Sequence, residues 1–376
     1  MDGQATIIDQ DKLHAFVGRA INDLAAGSAG VMISLGQKLG LYKALAGAGP
    51  LTAAEVAQRA GCAERYVREW LNAQVAGGYL AYDAGAGGRY TMSPEQAMVL
   101  ANEESPVFIP NAWEVVAAMW LDETKSLEAF KTGKGVPWGD HHDRLYCGVA
   151  AFFRNGYRAS LVKEWLPALD GVTAKLERGI AVADVGCGYG HSTVQMAEAF
   201  PRSRFTGFDA HAPSIAAARG NAAEAGVADR ATFVTARATD YAGAAHGARS
   251  DGTRGDGARS DGGYDLICFF DCLHDMGDPV AAAKHAAKRL APDGTVMLVE
   301  PFADAQTEGS VSPVARLYYS GSTAICCAHA ISEGGKMVLG AQAGEARLAE
   351  VFREAGFTRF RRAAATPFNL ILEARL

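Results

Sequence analysis

Apolar and polar positions change period several times along this chain, and the changes mark out its elements. Residues 8–46 carry apolar side chains at helical spacing, among them Ile21, Leu24, Val31, Leu35 and Leu39. Gly27, Gly30, Gly36 and Gly40 interrupt them, and small residues let a second helix approach closely. Residues 52–61 and 63–76 repeat the helical period over shorter spans. Thr52 and Glu55 have capping-box spacing, Gly61 closes the first of these helices, and Val67, Leu71 and Val75 stripe the second. Two short strand-like runs follow, Tyr79 to Tyr82 and Tyr90 to Met92, with a glycine-rich turn over 85–88. Helix, turn, helix and a two-stranded wing outline a winged helix over residues 1–105.

Residues 106–175 read as a helical connector rich in large apolar groups, with a loop over 133–143 and a helix over 146–166 that Pro167 ends. Its aromatics interleave with polar groups, so Trp138, Arg154, Asn155 and Tyr157 are candidate substrate contacts, with interdomain core as the plain alternative. Residues 176–376 then alternate strand and helix. Strands are expected over 181–184, 205–209, 231–236, 264–270 and 295–301, with a closing pair over 358–362 and 368–374. That alternation predicts an α/β domain with a parallel sheet covered by helices on both faces. Two segments interrupt it. Residues 243–263 are low in complexity, with GARSDG at 247–252 and again at 257–262, and read as a disordered insertion. Residues 303–342 read as an insertion over the strand ends and contribute Tyr318 as a further candidate substrate contact.

The sharpest signal lies in 181–192, AVADVGCGYGHS. Apolar residues run to Asp184, then Gly186, Gly188 and Gly190 fall at every second position, then helical spacing resumes. Strand, glycine turn and helix start together bring bare backbone, free N–H groups and a positive dipole end to one place. Asp209 ends the next strand 19 residues after Gly190, where a carboxylate can accept both hydroxyls of a ribose. The spacing Asp184, Gly186, Gly188, Gly190, with Asp209 in register, resembles class I S-adenosylmethionine (SAM) methyltransferases. The resemblance covers about two hundred residues from 179 to the C-terminus and implies a Rossmann-like fold with an antiparallel last strand. It implies SAM contacts from Asp184, Gly186, Cys187, Gly188, Gly190, Asp209 and Ala210, and from Asp271 and Cys272 at the end of the 264–270 strand. Methyltransferases usually place an Asp after the third strand to hold the adenine amine. Arg237 stands there in this chain, leaving the backbone at Ala238 for that contact.

Charge bears on the winged helix. The 376-residue chain has net charge −6, and residues 1–105 carry eight Lys/Arg against eleven Asp/Glu. The second helix sets Arg65 and Arg68 beside Glu64 and Glu69, with Tyr66 and Trp70 on its other surface. DNA affinity comes mainly from phosphate neutralisation, so no nucleic-acid partner is expected. The small-molecule O-methyltransferases that the chain resembles use such a module for packing and dimerisation, which implies a homodimer. No apolar run approaches the ~20 residues that a bilayer-spanning helix needs. The first residues lack a signal-peptide core, which points to a cytoplasmic protein. Seven cysteines without a C-x-x-C pair indicate neither a disulfide framework nor a zinc ribbon, and no metal site is expected at His141-His142-Asp143.

Methyl transfer to a hydroxyl also requires a proton acceptor. LHDMGDP, at 273–279, resembles the LHDW-type motif of plant and bacterial O-methyltransferases, whose His is the general base. That resemblance assigns His274 the role, with Glu300 as the next candidate. The expected activity is therefore SAM-dependent methylation of a small molecule at a hydroxyl. Thiol, metalloid or nitrogen acceptors are an alternative, given Cys187, Cys268, Cys272, Cys326 and Cys327. A SAM-sensing winged-helix regulator is another.

Overall fold

The computed structural model describes residues 8–85, 87–244, 262–303 and 312–376. The low-complexity insertion therefore lies almost wholly outside the described residues. Where it leaves and rejoins, the Ala244 N–H donates to the Gly262 carbonyl at 3.1 Å. The contacts divide the chain into two units, Met1–Glu114 and Val115–Leu376, so the segment 106–175 is shared between them.

In the first unit a 29-residue helix, Gln10–Lys38, is capped by the Asp9 carboxylate. Helix Leu41–Leu45 follows. The Thr52–Glu55 capping box opens helix Ala53–Ala60, and Gly61 ends it at φ 64°. Helix Glu64–Ala76 then leads into strands β1 (Ala81–Asp83) and β2 (Arg89–Thr91), paired antiparallel. The core gathers Ile33, Leu41, Tyr42, Val56, Leu71 and Trp70. Trp70 is thus a core residue rather than a surface one, and its Nε1 donates to the Met32 carbonyl. Gly36 explains the close approach, since a Cβ there would sit 2.5 Å from the Trp70 ring. Arg65–Glu69 and Arg68–Glu64 form exposed i,i+4 ion pairs.

The second unit is built on a seven-stranded sheet. Its strands are β3 (Ala181–Val185), β4 (Arg204–Asp209), β5 (Ala231–Thr235), β6 (Tyr264–Phe270), β7 (Leu290–Pro301), β8 (Arg359–Ala365) and β9 (Asn369–Arg375), in the order β5-β4-β3-β6-β7-β9-β8. The first five positions are parallel, and β9 runs antiparallel to both neighbours. All residues of β3 are buried because helices cover both faces, hence the unbroken apolar run in its sequence. Strand order reverses between β3 and β6, and the crevice outside the C-terminal ends of such strands is where open α/β sheets bind ligands. Two helices change to π geometry nearby. Arg144–Gly156 continues as a π segment over Tyr157–Trp165, and Pro313–Gly321 as one over Ser322–Cys326. Such segments are frequent at functional sites because the extra residue re-aims a side chain. Among the described residues no helix is long and apolar enough to cross a membrane.

Candidate active site

A cavity of about 1010 Å³ opens over the β3–β6 switch point, a volume suited to a cofactor together with a small second ligand. The glycine turn forms one side. The Gly186 and Cys187 N–H groups both donate to the Phe208 carbonyl, and the Gly188 N–H donates to Asp209 Oδ2 at 2.9 Å. The three glycines have positive φ for different reasons. At Gly186 a Cβ would meet the Cys272 side chain, and at Gly190 it would lie 2.6 Å from the Phe233 ring. At Gly188 it would meet nothing within 4 Å. Gly188 therefore keeps backbone bare on the cavity side, whereas its neighbours make room for the fold.

Two carboxylates organise this turn. Asp184 is buried, and its Oδ2 accepts from the Ser192 and Thr193 hydroxyls at 2.6 Å, fixing the helix start. Burial pushes its pKa up to about 6 against those two hydrogen bonds, and Oδ1 has no partner among the described residues. Asp209 accepts one backbone N–H on each oxygen, from Gly188 and from His211. An ionised carboxylate offers about four lone-pair sites, so the pair of oxygens still has capacity for two ligand hydroxyls. Burial raises Asp209 despite the two N–H donors. Ala210, Arg237 and Ala238 line the cavity beyond it.

The tip of β6 forms the other side. Asp271 is the one non-glycine described residue with positive φ, at 50°. Asp is among the residues that tolerate this conformation. Its N–H donates to the Val299 carbonyl, Oδ1 accepts from Asn369 Nδ2 at 2.8 Å, and Oδ2 is buried without a partner among the described residues. The Cys272 thiol donates to the Val185 carbonyl, and burial holds its pKa well above the usual thiol range. Next comes a 3₁₀ turn over Leu273–Asp275. Glu300 on β7 anchors it: Oε1 accepts the Leu273 N–H, and Oε2 lies 2.5 Å from His274 Nδ1.

Helices and loops close the cavity. Trp138 and Tyr146 line it, and the Tyr146 hydroxyl donates to the Trp138 carbonyl at 2.7 Å. The Tyr146 ring lies 4.4 Å from the His211 ring. The Trp138 N–H donates to His329 Nδ1, which places the remaining ring proton of neutral His329 on Nε2. His191, at the start of the helix after the glycine turn, also lines the wall. Burial and the cations of Arg154 and Arg158 hold its pKa down to about 4.

The candidates from the sequence separate in space. Gly186, Cys187, Gly188, Asp209, Ala210, Ala238, Asp271 and Cys272 line the cavity, as do Trp138 and Tyr157. Asp184 and Gly190 stand behind the turn and shape it. Arg154, Asn155 and Tyr318 are not lining residues. Asn155 is buried, and the Tyr318 hydroxyl donates to the Phe368 carbonyl. The interleaving of aromatic and polar groups that singled out these three does not say which side of a helix the cavity lies on. His274 and Glu300 are also buried and outside the lining. Tyr146, His191, His211, Asp275 and His329 line the cavity without having been singled out by sequence. Only Asp275 carried a signal, through its place beside His274.

Comparison with known proteins fits this geometry. Residues 27–102 match a family model described as an Rv2258c-like winged HTH domain, and residues 155–360 match one described as a methyltransferase domain. A proposed O-methyltransferase of Nostoc punctiforme PCC 73102 superposes with TM-score 0.69 at 18% identity, over 95% of this chain and 98% of that one. Human N-acetylserotonin methyltransferase, solved with SAM, gives TM-score 0.64 at 17% identity, over 99% of each chain. The O-methyltransferase NcsB1 of neocarzinostatin biosynthesis, solved with S-adenosyl-L-homocysteine (SAH) and 1,4-dihydroxy-2-naphthoic acid, gives 0.59 at 19%, over 95% and 98%. These likenesses show a shared fold, and the methyltransferase match covers more than half of the sequence. The chain therefore belongs to the methyltransferase-domain family, with a winged helix at its N-terminal side.

Proposed function

We propose that the protein is a SAM-dependent methyltransferase acting on a hydroxyl group of a small molecule. The observation that carries this reading is the glycine turn tied to Asp209 at the sheet's switch point, with open space only at Gly188. SAM supplies an activated methyl group on a sulfonium, so the protein's task is alignment and exclusion of water. Asp209 would hold the ribose hydroxyls, and Gly188 would give the cofactor room against the backbone. Ala210 and Ala238 would flank the adenine side, where Arg237 replaces the usual acid. Asp271, Cys272 and Tyr157, which line the cavity, would stand at the methionine and acceptor side. Human N-acetylserotonin methyltransferase and NcsB1, the latter seen with a dihydroxylated aromatic acid, support a small hydroxylated acceptor. The aromatic wall of Trp138, Tyr146 and Tyr157 suits such a ligand.

Helix Gln10–Lys38 supports a homodimer. Leu13, Phe16, Val17, Ile21, Leu24 and Val31 recur at helical spacing and are all exposed. Calorimetry with SAH, then a screen of radiolabelled SAM against phenols, carboxylates and thiols, tests the activity. No SAH binding at micromolar protein would end the methyltransferase reading. Sedimentation at a single monomer mass would end the dimer.

A further inference from the structure

The wall around Trp138 holds a hydrogen-bond donor with no protein partner. Loop 133–143 lies against helix Cys327–Ser332. The Val136 N–H donates to the Ala328 carbonyl at 2.9 Å, and Gly135 packs so closely that a Cβ there would lie 2.2 Å from that oxygen. The Trp138 N–H donates to His329 Nδ1 at 3.1 Å. A ring nitrogen that accepts from an N–H carries no proton, so His329 is neutral and its donor is Nε2. Nε2 has no hydrogen-bond partner among the described residues, and Glu333 Oε2 stands 3.9 Å away, beyond hydrogen-bond reach. His329 and Glu333 both line the cavity.

Two further features say what this donor meets. The continuous helix over 322–332 also carries Cys326, whose thiol is hydrogen-bonded to the His274 ring. A spacing of three puts Cys326 and His329 on one side of that helix. The donor thus stands about one helical turn along from the contact with His274, the residue that the LHDW resemblance assigns to the reacting hydroxyl. The charge around it is negative. Asp275, Asp278 and Glu333 line the cavity, and the Lys336 ammonium beside them is already paired with Asp278 at 2.7 Å. A carboxylate substituent would meet like charge there, whereas a neutral oxygen would not. We infer that His329 is a specificity-determining residue of the acceptor site: its Nε2–H takes a second, neutral oxygen on an aromatic acceptor, a hydroxyl or a carbonyl, while Glu333 turns acids away. The inference rests on the hydroxyl-methylation reading above.

Both groups are set before an acceptor arrives. The Trp138 bond holds the imidazole in the tautomer that donates from Nε2, and Glu333 Oε2 is fixed by the Gly277 N–H at 3.1 Å. Little rotamer freedom is then lost on binding. An acceptor without the second oxygen leaves Nε2–H unpaired against the wall, and sites that hydrogen-bond a substrate group reject analogues that lack it.

The test uses the full chain, radiolabelled SAM and three kinds of acceptor: phenol, the dihydroxybenzenes and the hydroxybenzoates. The parent is expected to favour one dihydroxybenzene by about tenfold in kcat/KM, both over phenol and over the hydroxybenzoate of the same substitution pattern. His329→Asn leaves an oxygen near the place of Nδ1 for the Trp138 N–H but removes the Nε2–H donor. It should bring the ratio of dihydroxybenzene to phenol close to one, with SAH affinity within about threefold of the parent. His329→Gln carries an N–H near the place of Nε2 and should keep part of the ratio. Glu333→Gln retains an acceptor for the Gly277 N–H and should narrow the gap between dihydroxybenzene and hydroxybenzoate. If a variant turns over too slowly, calorimetric affinities of the same acceptors for its SAH complex give the same ratios. A merely structural His329 would lower all acceptors alike and leave the ratio unchanged. The inference is overturned by that result, by a parent that favours no dihydroxybenzene over phenol, or by a large loss of SAH affinity in His329→Asn, which would assign the ring to the cofactor. A parent that binds SAH yet methylates none of these phenols fails the hydroxyl reading itself, and the inference with it.

Discussion

The glycine turn and the tip of β6 face the same cavity, yet they are built on different physics. At the glycine turn almost everything is local. Asp184, the three glycines and Asp209 lie within 26 residues, and most of the bonds involve backbone or adjoin it. At the β6 tip the groups come from 157, 271–275, 300 and 326–333 and meet as buried polar and titratable side chains. The first arrangement is set by conformations that side chains forbid. The second is held by partners that cannot be left alone in a low dielectric.

The largest expected effect therefore lies at the β6 tip. Glu300→Leu removes the carboxylate that faces His274 Nδ1 and the acceptor of the Leu273 N–H, both buried, and should destabilise the protein by about 3–5 kcal/mol. The pH dependence has a definite sign. A folded-state imidazole pKa raised above its unfolded value stabilises fully below that unfolded value, ~6.5. The contribution is lost as pH rises through the folded value. Denaturant titrations from pH 6 to 9 should thus show the parent's advantage over Glu300→Leu narrowing. A constant gap would mean that His274 is not held as a cation.

Next in size is Gly190→Ala. It forces a Cβ at φ 72° and 2.6 Å from the Phe233 ring. Left-handed strain costs about 1–2 kcal/mol and overpacking about 1–3, so a loss of about 2–5 kcal/mol is expected in the same titration. Parental stability would show that the turn yields easily, and the contrast between the two ends would disappear.

That contrast also explains what the sequence made legible. The spacing of Asp184, Gly186, Gly188, Gly190 and Asp209 is a local pattern, and local patterns survive projection onto one dimension. The alternation of strands and helices and the Thr52–Glu55 capping box were legible for the same reason. The helical walls were not. Tyr157 faces the cavity while Arg154, Asn155 and Tyr318 do not, because the side of each helix that meets the cavity is set by tertiary packing that composition does not announce. His329 lies 191 residues from Trp138, and only folding brings the Trp138 N–H to its ring. The motif led to His274, but the partners that surround its ring, Glu300 and Cys326, lie 26 and more residues away and meet it only through folding.

Asp209→Ala should act on the ligand more than on the fold. It removes two hydrogen bonds from a charged acceptor, each worth about 1.5–3 kcal/mol, so SAH affinity should fall by about 100-fold or more. The Gly188 and His211 N–H groups can turn to water, and stability should change by about 1 kcal/mol. Calorimetry that finds parental SAH affinity would remove Asp209 from the cofactor site.

The smallest effect on the fold is expected at Gly188, and it bears most directly on how the glycine turn is divided. Its φ is 51°, so Gly188→Ala still carries left-handed strain of about 1–2 kcal/mol. Nothing lies within 4 Å of the added Cβ, so no overpacking is added. The methyl group instead occupies cavity space against which the cofactor would rest. Stability should therefore fall less than in Gly190→Ala, while SAH affinity falls by about tenfold or more. The two alanine variants, compared by denaturation and calorimetry side by side, separate a glycine kept for the fold from one kept for a ligand. If Gly188→Ala loses as much stability as Gly190→Ala but binds SAH normally, the open space at Gly188 is only a feature of the turn, and the cofactor lies elsewhere.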